Sequence, residues 1–381
     1  MKISILLEAF EPEFWGGREA RWSRLLPEIT KNHEVTIFGD FTRTEPLTAF
    51  PNIECVFVNI GPLPDIYSAK GTRSLKHAFV YTWQSRKLLR YETDLILTDQ
   101  APLISIPILR AISFLLRSDF SVNWHEIWSL GTWNRYSKRT GFLGVILQTV
   151  ALITSKNIIV PSELVFNDLQ HKFFSKHATI IPNGIDISAN TTAQDKEKIN
   201  RNFIKLLYVG RLIKHKNTDF LLQIMSQSVN EARNWHLTIV GAGPMRSELV
   251  SSIKKLNLEE WVTIESNVSN INLKTHYRTS DVFVFPSERE GFGISVSEAL
   301  SNNLPVIVYD VPENASISMI SSDIFGCKIS SLNPQSWVSA IIDILDRDSN
   351  KEAGPLVLGL PSWKSVSEQY RNYLEALQNN H

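Results

Sequence analysis

The chain has 381 residues, 43% of them hydrophobic and 20% charged, which is long for one core, suits two domains, and excludes a disordered or fibrous chain. Its 39 Lys+Arg balance 39 Asp+Glu for a formal net charge of +0, so no global charge recruits nucleic acid. Two distant cysteines, Cys55 and Cys327, exclude a disulfide framework or a cysteine metal cluster and fit a reducing, cytoplasmic setting.

The first apolar run, 2–7, reads as a strand and ends at Glu8, too soon for a secretory signal. A helix is expected over 18–31, strands over 34–38 and 54–58, a helix over 75–91, and strands over 94–98, 120–124 and 157–160. Two apolar stretches, 101–116 and 142–153, fall short of the ~20 residues of a membrane span. The first is also broken by Pro102, Pro107 and Arg110, so both read as buried helices, the second lying within a helix over 143–154. Asn183-Gly184 is a turn signal, and the polar stretch 188–203 reads as a linker. Beyond it, strands at 205–209, 236–240, 261–264, 281–285 and 305–309 alternate with helices near 217–229, 244–256, 272–279 and 294–302. A last helix is expected over 363–378. Short apolar runs alternating with amphipathic stretches predict an α/β fold, two doubly wound parallel units in succession.

The most specific signal is Phe283-Val-Phe-Pro-Ser-Glu-Arg-Glu-Gly-Phe-Gly-Ile-Ser-Val-Ser-Glu298. A buried strand ends at Pro286, a turn with Gly291 and Gly293 follows, and a helix begins near Ile294. The carboxyl end of a parallel sheet is where α/β proteins bind ligands, and a helix N-terminus offers N–H groups to phosphate oxygens. Glu290 stands at the turn, and Glu298, about one helical turn in, is placed to accept hydrogen bonds from a ribose diol. Either glutamate alone would read as a solvated charge; the ordered combination points to a site.

These residues resemble the signature of glycosyltransferase family 4, read here as Glu290-Gly-Phe-Gly-Ile-Ser-Val-Ser-Glu298-Ala299. Further segments follow in the family's order: Trp15-Gly16-Gly17 with Glu19, Pro182-Asn-Gly-Ile-Asp186, Val209-Gly-Arg-Leu-Ile-Lys-His-Lys216-Asn217 and Ile239-Val-Gly-Ala-Gly-Pro244. The resemblance implies a GT-B fold, two Rossmann-like domains facing a cleft. An acceptor-side domain over 1–187 and a nucleotide-sugar domain over 188–364 are expected, with 365–381 crossing back onto the first. It implies retaining transfer from a nucleotide-diphosphate sugar to the hydroxyl of a glycan or lipid-linked acceptor, with no cofactor and no metal. The leaving diphosphate itself would assist proton removal in a front-face substitution. Donor contacts fall by resemblance on Gly16, Gly17, Arg211, Lys216, Glu290, Phe292, Gly293, Ile294, Ser295 and Glu298. Arg211 and Lys216 would neutralise the departing diphosphate, and Lys214 and His215 of the same turn are expected to face solvent. His125, after the strand Ser121-Val-Asn-Trp, would lie beside the donor sugar; the role of Glu126 is left open.

Several features pull elsewhere. Gly241-Ala-Gly243-Pro244 lacks the dinucleotide fingerprint spacing and reads as a tight turn with Pro at the first helical position. Asp346-Arg-Asp348 matches a metal-binding pattern of another transferase architecture but reads as a solvated helix end. The stretch 66–91 carries Lys70, Arg73, Lys76, Arg86, Lys87 and Arg90 among aromatics such as Phe79, Tyr81 and Trp83. It is either a basic helix face with its aromatics packed inward or a patch for peripheral contact with a membrane. Trp124, Trp128 and Trp133 suit either core packing or stacking on an acceptor sugar. Asp310-Val-Pro-Glu-Asn314 and Asn267 stand where the family usually carries glycines, which leaves donor-sugar preference open. Competing readings are a nucleotide-sugar epimerase and a catalytically silent subunit of a transferase complex.

Overall fold

A computed structural model describes the chain except residues 11–16, 51–52, 68–72, 137–140, 174–177, 187–202, 267, 321–324, 348–358 and 380–381. It divides into two compact units: Met1–Asn183 with Trp363–His381, and Gly184–Ser362. The boundaries differ by a few residues from those expected. The chain enters and leaves the second unit side by side, since the Ile185 N–H donates to the Pro361 carbonyl at 2.9 Å. Most of the expected linker lies outside the described residues.

The first unit holds seven strands: β1 (Lys2–Leu6), β2 (Glu34–Gly39), β3 (Val56–Asn59), β4 (Leu95–Asp99), β5 (Asp119–Asn123), β6 (Asn157–Val160) and β7 (Ala178–Ile180). All pair in parallel, in the order β3-β2-β1-β4-β5-β6-β7. Both faces are covered, so β1 is buried from Ile3 onward, Ser4 included. Ile3, Ile5 and Leu7 pack against Trp22 and Leu25 of the helix Gly17–Ile29 and Tyr370 of the helix Trp363–Asn379. Leu6 on the opposite face joins the core under the helices Leu75–Gln84, Ser105–Leu116 and Gly141–Thr154. Helix Ser105–Leu116 tolerates Pro107 because it falls in the first turn, whose N–H groups have no intrahelical acceptor.

The second unit holds six parallel strands: β8 (Ile204–Val209), β9 (Trp235–Val240), β10 (Val262–Glu265), β11 (Val282–Phe285), β12 (Val306–Tyr309) and β13 (Gly326–Ile329). Their order is β10-β9-β8-β11-β12-β13. In both sheets the strand order reverses once, between β1 and β4 and between β8 and β11. Such a switch point leaves a crevice at the carboxyl ends of the strands, where open α/β sheets bind ligands.

The structure corrects three local expectations. The expected helix 75–91 is α-helical only over Leu75–Gln84 and continues as a 3₁₀ turn, Ser85–Arg90. At the junction, the Ser85 hydroxyl donates to the Tyr81 carbonyl, a local bond that competes with regular helix. Pro244 lies in the turn before the helix Arg246–Lys255 and is not its first residue. Strands β7 (Ala178-Thr-Ile) and β13 (Gly326-Cys-Lys-Ile) are additions, with too few apolar residues in a row to read as strands.

Candidate functional site

In the second unit, the segments after β8 and β11 meet at the switch point. The β8 turn is shaped by close backbone approach: a Cβ on Gly241 would sit 2.0 Å from the Gly210 carbonyl oxygen. The Gly-Ala-Gly turn thus buttresses the segment carrying Arg211. Asn217 adopts a left-handed conformation, φ 50°, that ends the 3₁₀ turn Lys214–Lys216 and precedes the helix Thr218–Asn230. Its amide donates to the Pro286 carbonyl at 3.1 Å, and the Glu288 N–H donates to the His215 carbonyl at 2.9 Å, tying the two loops together. Lys214 is exposed, but His215 is half-buried, contrary to the expectation that both face solvent, because the Glu288 segment lies across it.

That tie brings Lys216 to Glu290. Lys216 is 7% exposed and Glu290 9%, and the two side chains form a direct ion pair. Lys216 Nζ also lies 5.6 Å from the centroid of the Phe285 ring. A buried ammonium is tolerated only with a compensating anion, and Glu290 supplies it. Arg211 is half-buried at the start of the same turn.

Glu290 is held from behind. Its N–H donates to the Glu313 carbonyl at 3.0 Å, and its carbonyl accepts from the Ala315 N–H at 2.9 Å. The fully buried Asn314 locks that contact: its amide donates to the carbonyls of Ser287 and Tyr309, and its oxygen accepts from the N–H and hydroxyl of Ser316. The segment 310–314, which departs from the family pattern, is therefore what pins the glutamate turn. Gly293 precedes the helix Ile294–Ser301 at φ 95°, and a Cβ there would approach the Cβ of Ser316 to 2.5 Å. Only glycine fits both constraints. The first-turn N–H groups of Ile294 and Ser295 have no intrahelical acceptor and suit an anion. Phe292 packs against the unit's core. Glu298 is half-buried and accepts from the Tyr277 hydroxyl at 2.8 Å, which fixes its rotamer. Burial, and then the Glu298 charge, push the Tyr277 phenol well above its ordinary pKa, keeping it a donor.

Sequence reading missed Asn314, Tyr277 and Arg289, the last buried and 3.6 Å from Glu313. A polar Asn between a strand and a small-residue turn was the only signal for Asn314. Asp346 is exposed beyond the helix Pro334–Leu345, while Asp348 and Asn267 lie outside the described residues. Among the described residues, no group of three or more His, Cys, Asp or Glu is placed to hold a metal ion.

In the first unit, His125 follows β5. Its Nε2 lies 3.1 Å from Asp99 Oδ1, and its N–H donates to Gln100 Oε1 at 2.7 Å. Asp99, at the end of β4, also accepts from Trp22 Nε1 at 3.0 Å. Burial alone would raise the Asp99 carboxyl, but His125, Arg18 and the Trp22 bond outweigh it and hold it below its ordinary value. Beside it at the end of β1, buried Glu8 meets Arg73 Nη1 at 2.6 Å, His77 Nε2 at 3.4 Å and Arg18 Nη1 at 3.5 Å. Burial opposes its charge, yet Arg73, His77 and Arg18 hold it well below the usual carboxylate range. Sequence reading found His125 but neither Asp99 nor Glu8.

Gly17 opens the first helix, while Trp15 and Gly16 lie outside the described residues. Trp124 is fully buried in the core, which removes it as a stacking platform; Trp128 and Trp133 pair at 4.8 Å. Glu126 accepts from Trp128 Nε1 at 2.7 Å, a local structural role. The stretch 66–91 divides: Tyr81 is buried and Arg73 is drawn to Glu8, while Phe79 and Trp83 are exposed; Lys70 lies outside the described residues. No helix among the described residues is long and apolar enough to cross a membrane.

Comparison with known proteins gives a consistent result. Residues 15–189 match the family described as Glycosyltransferase Family 4, and residues 190–353 match Glycosyl transferases group 1. A capsular polysaccharide biosynthesis glycosyltransferase, CapH, of Staphylococcus aureus is 28% identical over 56% of this chain and 59% of its own length. The chain spans about half the length of the curated relatives it matches. Among solved structures, sucrose-phosphate synthase from Thermosynechococcus elongatus superposes with a TM-score of 0.78 at 19% identity, covering 100% of both chains. Anabaena HepE in complex with UDP and glucose does so with a TM-score of 0.73 at 17% identity, covering 98% of this chain and 99% of its own. These likenesses establish the two-sheet fold.

Proposed function

Because the chain belongs to the group 1, family 4 glycosyltransferases, we propose that it moves a sugar from a nucleotide-diphosphate sugar to an acceptor hydroxyl with retained anomeric configuration. The observation that carries this reading is the buried Lys216–Glu290 pair at the β8/β11 switch point, beside a helix N-terminus preceded by left-handed Gly293. Each charged group stands where a substrate group would take over from its partner. A diphosphate would replace Glu290 as the anion beside Lys216, and a sugar hydroxyl would replace Lys216 as donor to Glu290. Arg211 and the first-turn amides of Ile294 and Ser295 would share the diphosphate charge. Glu298, oriented by Tyr277, suits a ribose diol. HepE is solved in complex with UDP-glucose, and a UDP-sugar is the donor class proposed here.

In the reaction, the bond from the anomeric carbon to the diphosphate oxygen breaks as the bond to the acceptor oxygen forms on the same face. The acceptor proton passes to the departing diphosphate, with no metal required. On this reading the first unit is the acceptor-binding unit, where Asp99 orients His125. The acceptor is a glycan or a lipid-linked saccharide.

A thermal-shift panel of nucleotide-diphosphate sugars tests the reading, since a ligand of the native state raises the midpoint with its affinity. One donor should raise it clearly, with transfer or slow donor hydrolysis that a chelator leaves unchanged. Product configuration follows by NMR. No shift from any donor at saturating concentration would sink the proposal, and tight binding without turnover would point to a silent subunit.

A further inference from the structure

Large apolar side chains exposed on the described residues are not scattered. Seventeen are exposed, and twelve of them lie on the helical layer over one face of the first sheet. That layer consists of Leu75–Gln84 with its 3₁₀ continuation, Ser105–Leu116 and Gly141–Thr154, the middle helix touching both others. On Gly141–Thr154 the exposed residues Phe142, Ile146, Val150 and Ile153 recur at helical spacing as one stripe. Gly144, Gln148 and Ala151 face inward. This helix carries no charged residue and is apolar on both sides, whereas a surface helix normally turns a polar face outward. Phe114 and Leu115, 77% and 69% exposed, continue the surface on the middle helix, and Phe79 and Trp83 on the first.

The charged residues carried by these helices have one sign. Residues 75–90, 105–117 and 141–154 contain Lys76, Arg86, Lys87, Arg90, Arg110 and Arg117 and no Asp or Glu, in a chain whose formal net charge is +0. Arg86 stacks over the Trp83 ring at 3.6 Å, placing a cation on an exposed aromatic. We propose that this three-helix face docks on an anionic lipid bilayer. The apolar stripes would enter the acyl boundary, and Trp83 with the surrounding cations would sit at headgroup level. A second copy of the chain fits poorly, because a two-fold contact would bring the cations of these helices against their own copies. The proposal is independent of the transferase reading.

Flotation of the purified full chain with vesicles of mixed phosphatidylglycerol and phosphatidylcholine tests it. Binding is expected to those vesicles and to fall sharply on pure phosphatidylcholine or in high salt. Phe142→Gln with Ile146→Gln should lose binding at least tenfold, and Arg86→Glu with Arg117→Glu likewise, with thermal midpoints and nucleotide-diphosphate binding unchanged. Equal binding to neutral vesicles, or wild-type binding by both variants, would overturn the proposal. So would a dimer in sedimentation velocity that Phe142→Gln dissociates, which would assign the face to a second copy. Loss of transfer with vesicle binding intact would bear on the transferase reading alone.

Discussion

Replacing Lys216 by Met tests whether the charge pair at the switch point is formed and buried. Both side chains are nearly excluded from solvent, so removing the ammonium leaves a carboxylate whose own backbone remains tied to Glu313 and Ala315. With the backbone fixed and the side chain 11% exposed, the carboxylate is left largely out of water. Breaking a buried pair on one side costs about 3–5 kcal/mol, whereas replacing both members by apolar groups of similar volume is close to neutral. In a unit of this size that loss lowers the thermal midpoint by about 6–20 °C. Lys216→Met and Glu290→Leu should each fall in this range, and the double variant should regain most of the loss, giving a coupling of about 3 kcal/mol. Scanning calorimetry of the full chain, following the second unit's transition, reads all four proteins. The double variant should be stable yet fail to bind any nucleotide-diphosphate sugar, which separates folding from function. Additive single effects below about 0.5 kcal/mol would mean a solvated pair, and wild-type donor affinity in the double variant would refute the site.

Three other perturbations have defined outcomes. Gly293→Ala forces a side chain into a left-handed position against buried Ser316. It should cost about 1–3 kcal/mol of stability and weaken nucleotide-diphosphate binding in calorimetric titration; wild-type values of both would remove the turn from the site. Asp99→Asn keeps the shape of the side chain but removes the charge facing His125. Turnover should fall with little change in donor KM, and the pH–rate profile should shift, whereas an unchanged profile would make Asp99 merely structural. The depressed pKa values of Glu8 and Asp99 mean that both carboxylates stabilise the native first unit above their ordinary values of 4.5 and 3.8. That stability drains away as pH falls through the folded values. Urea unfolding at pH 6 and pH 3 should give a lower midpoint at pH 3, and Glu8→Gln should flatten the difference; an unflattened difference would place the acid sensitivity elsewhere.

The alternation of strands and helices is written in the residues themselves, because a buried parallel strand must be a short apolar run and a covering helix must be amphipathic. The ends of most strands were legible to within a residue or two for that reason. Strands β7 and β13 were not: Ala178-Thr-Ile and Gly326-Cys-Lys-Ile lack the run of branched or aromatic apolar residues that marks a buried strand. Gly293 and the glutamates were legible because a tight turn before a helix demands particular residue types in order. What those residues touch was decided only by the tertiary structure. Lys216 and Glu290 are 74 positions apart, and Asp99 and His125 are 26 apart; no local spacing encodes either pair. Tyr277, Asn314 and Glu8 looked like ordinary polar residues until the sheet order placed them beside a turn or a strand end. The apolar helix Gly141–Thr154 is the reverse case. Its sequence reads as a core helix, and only the fold shows that one side of it faces outward.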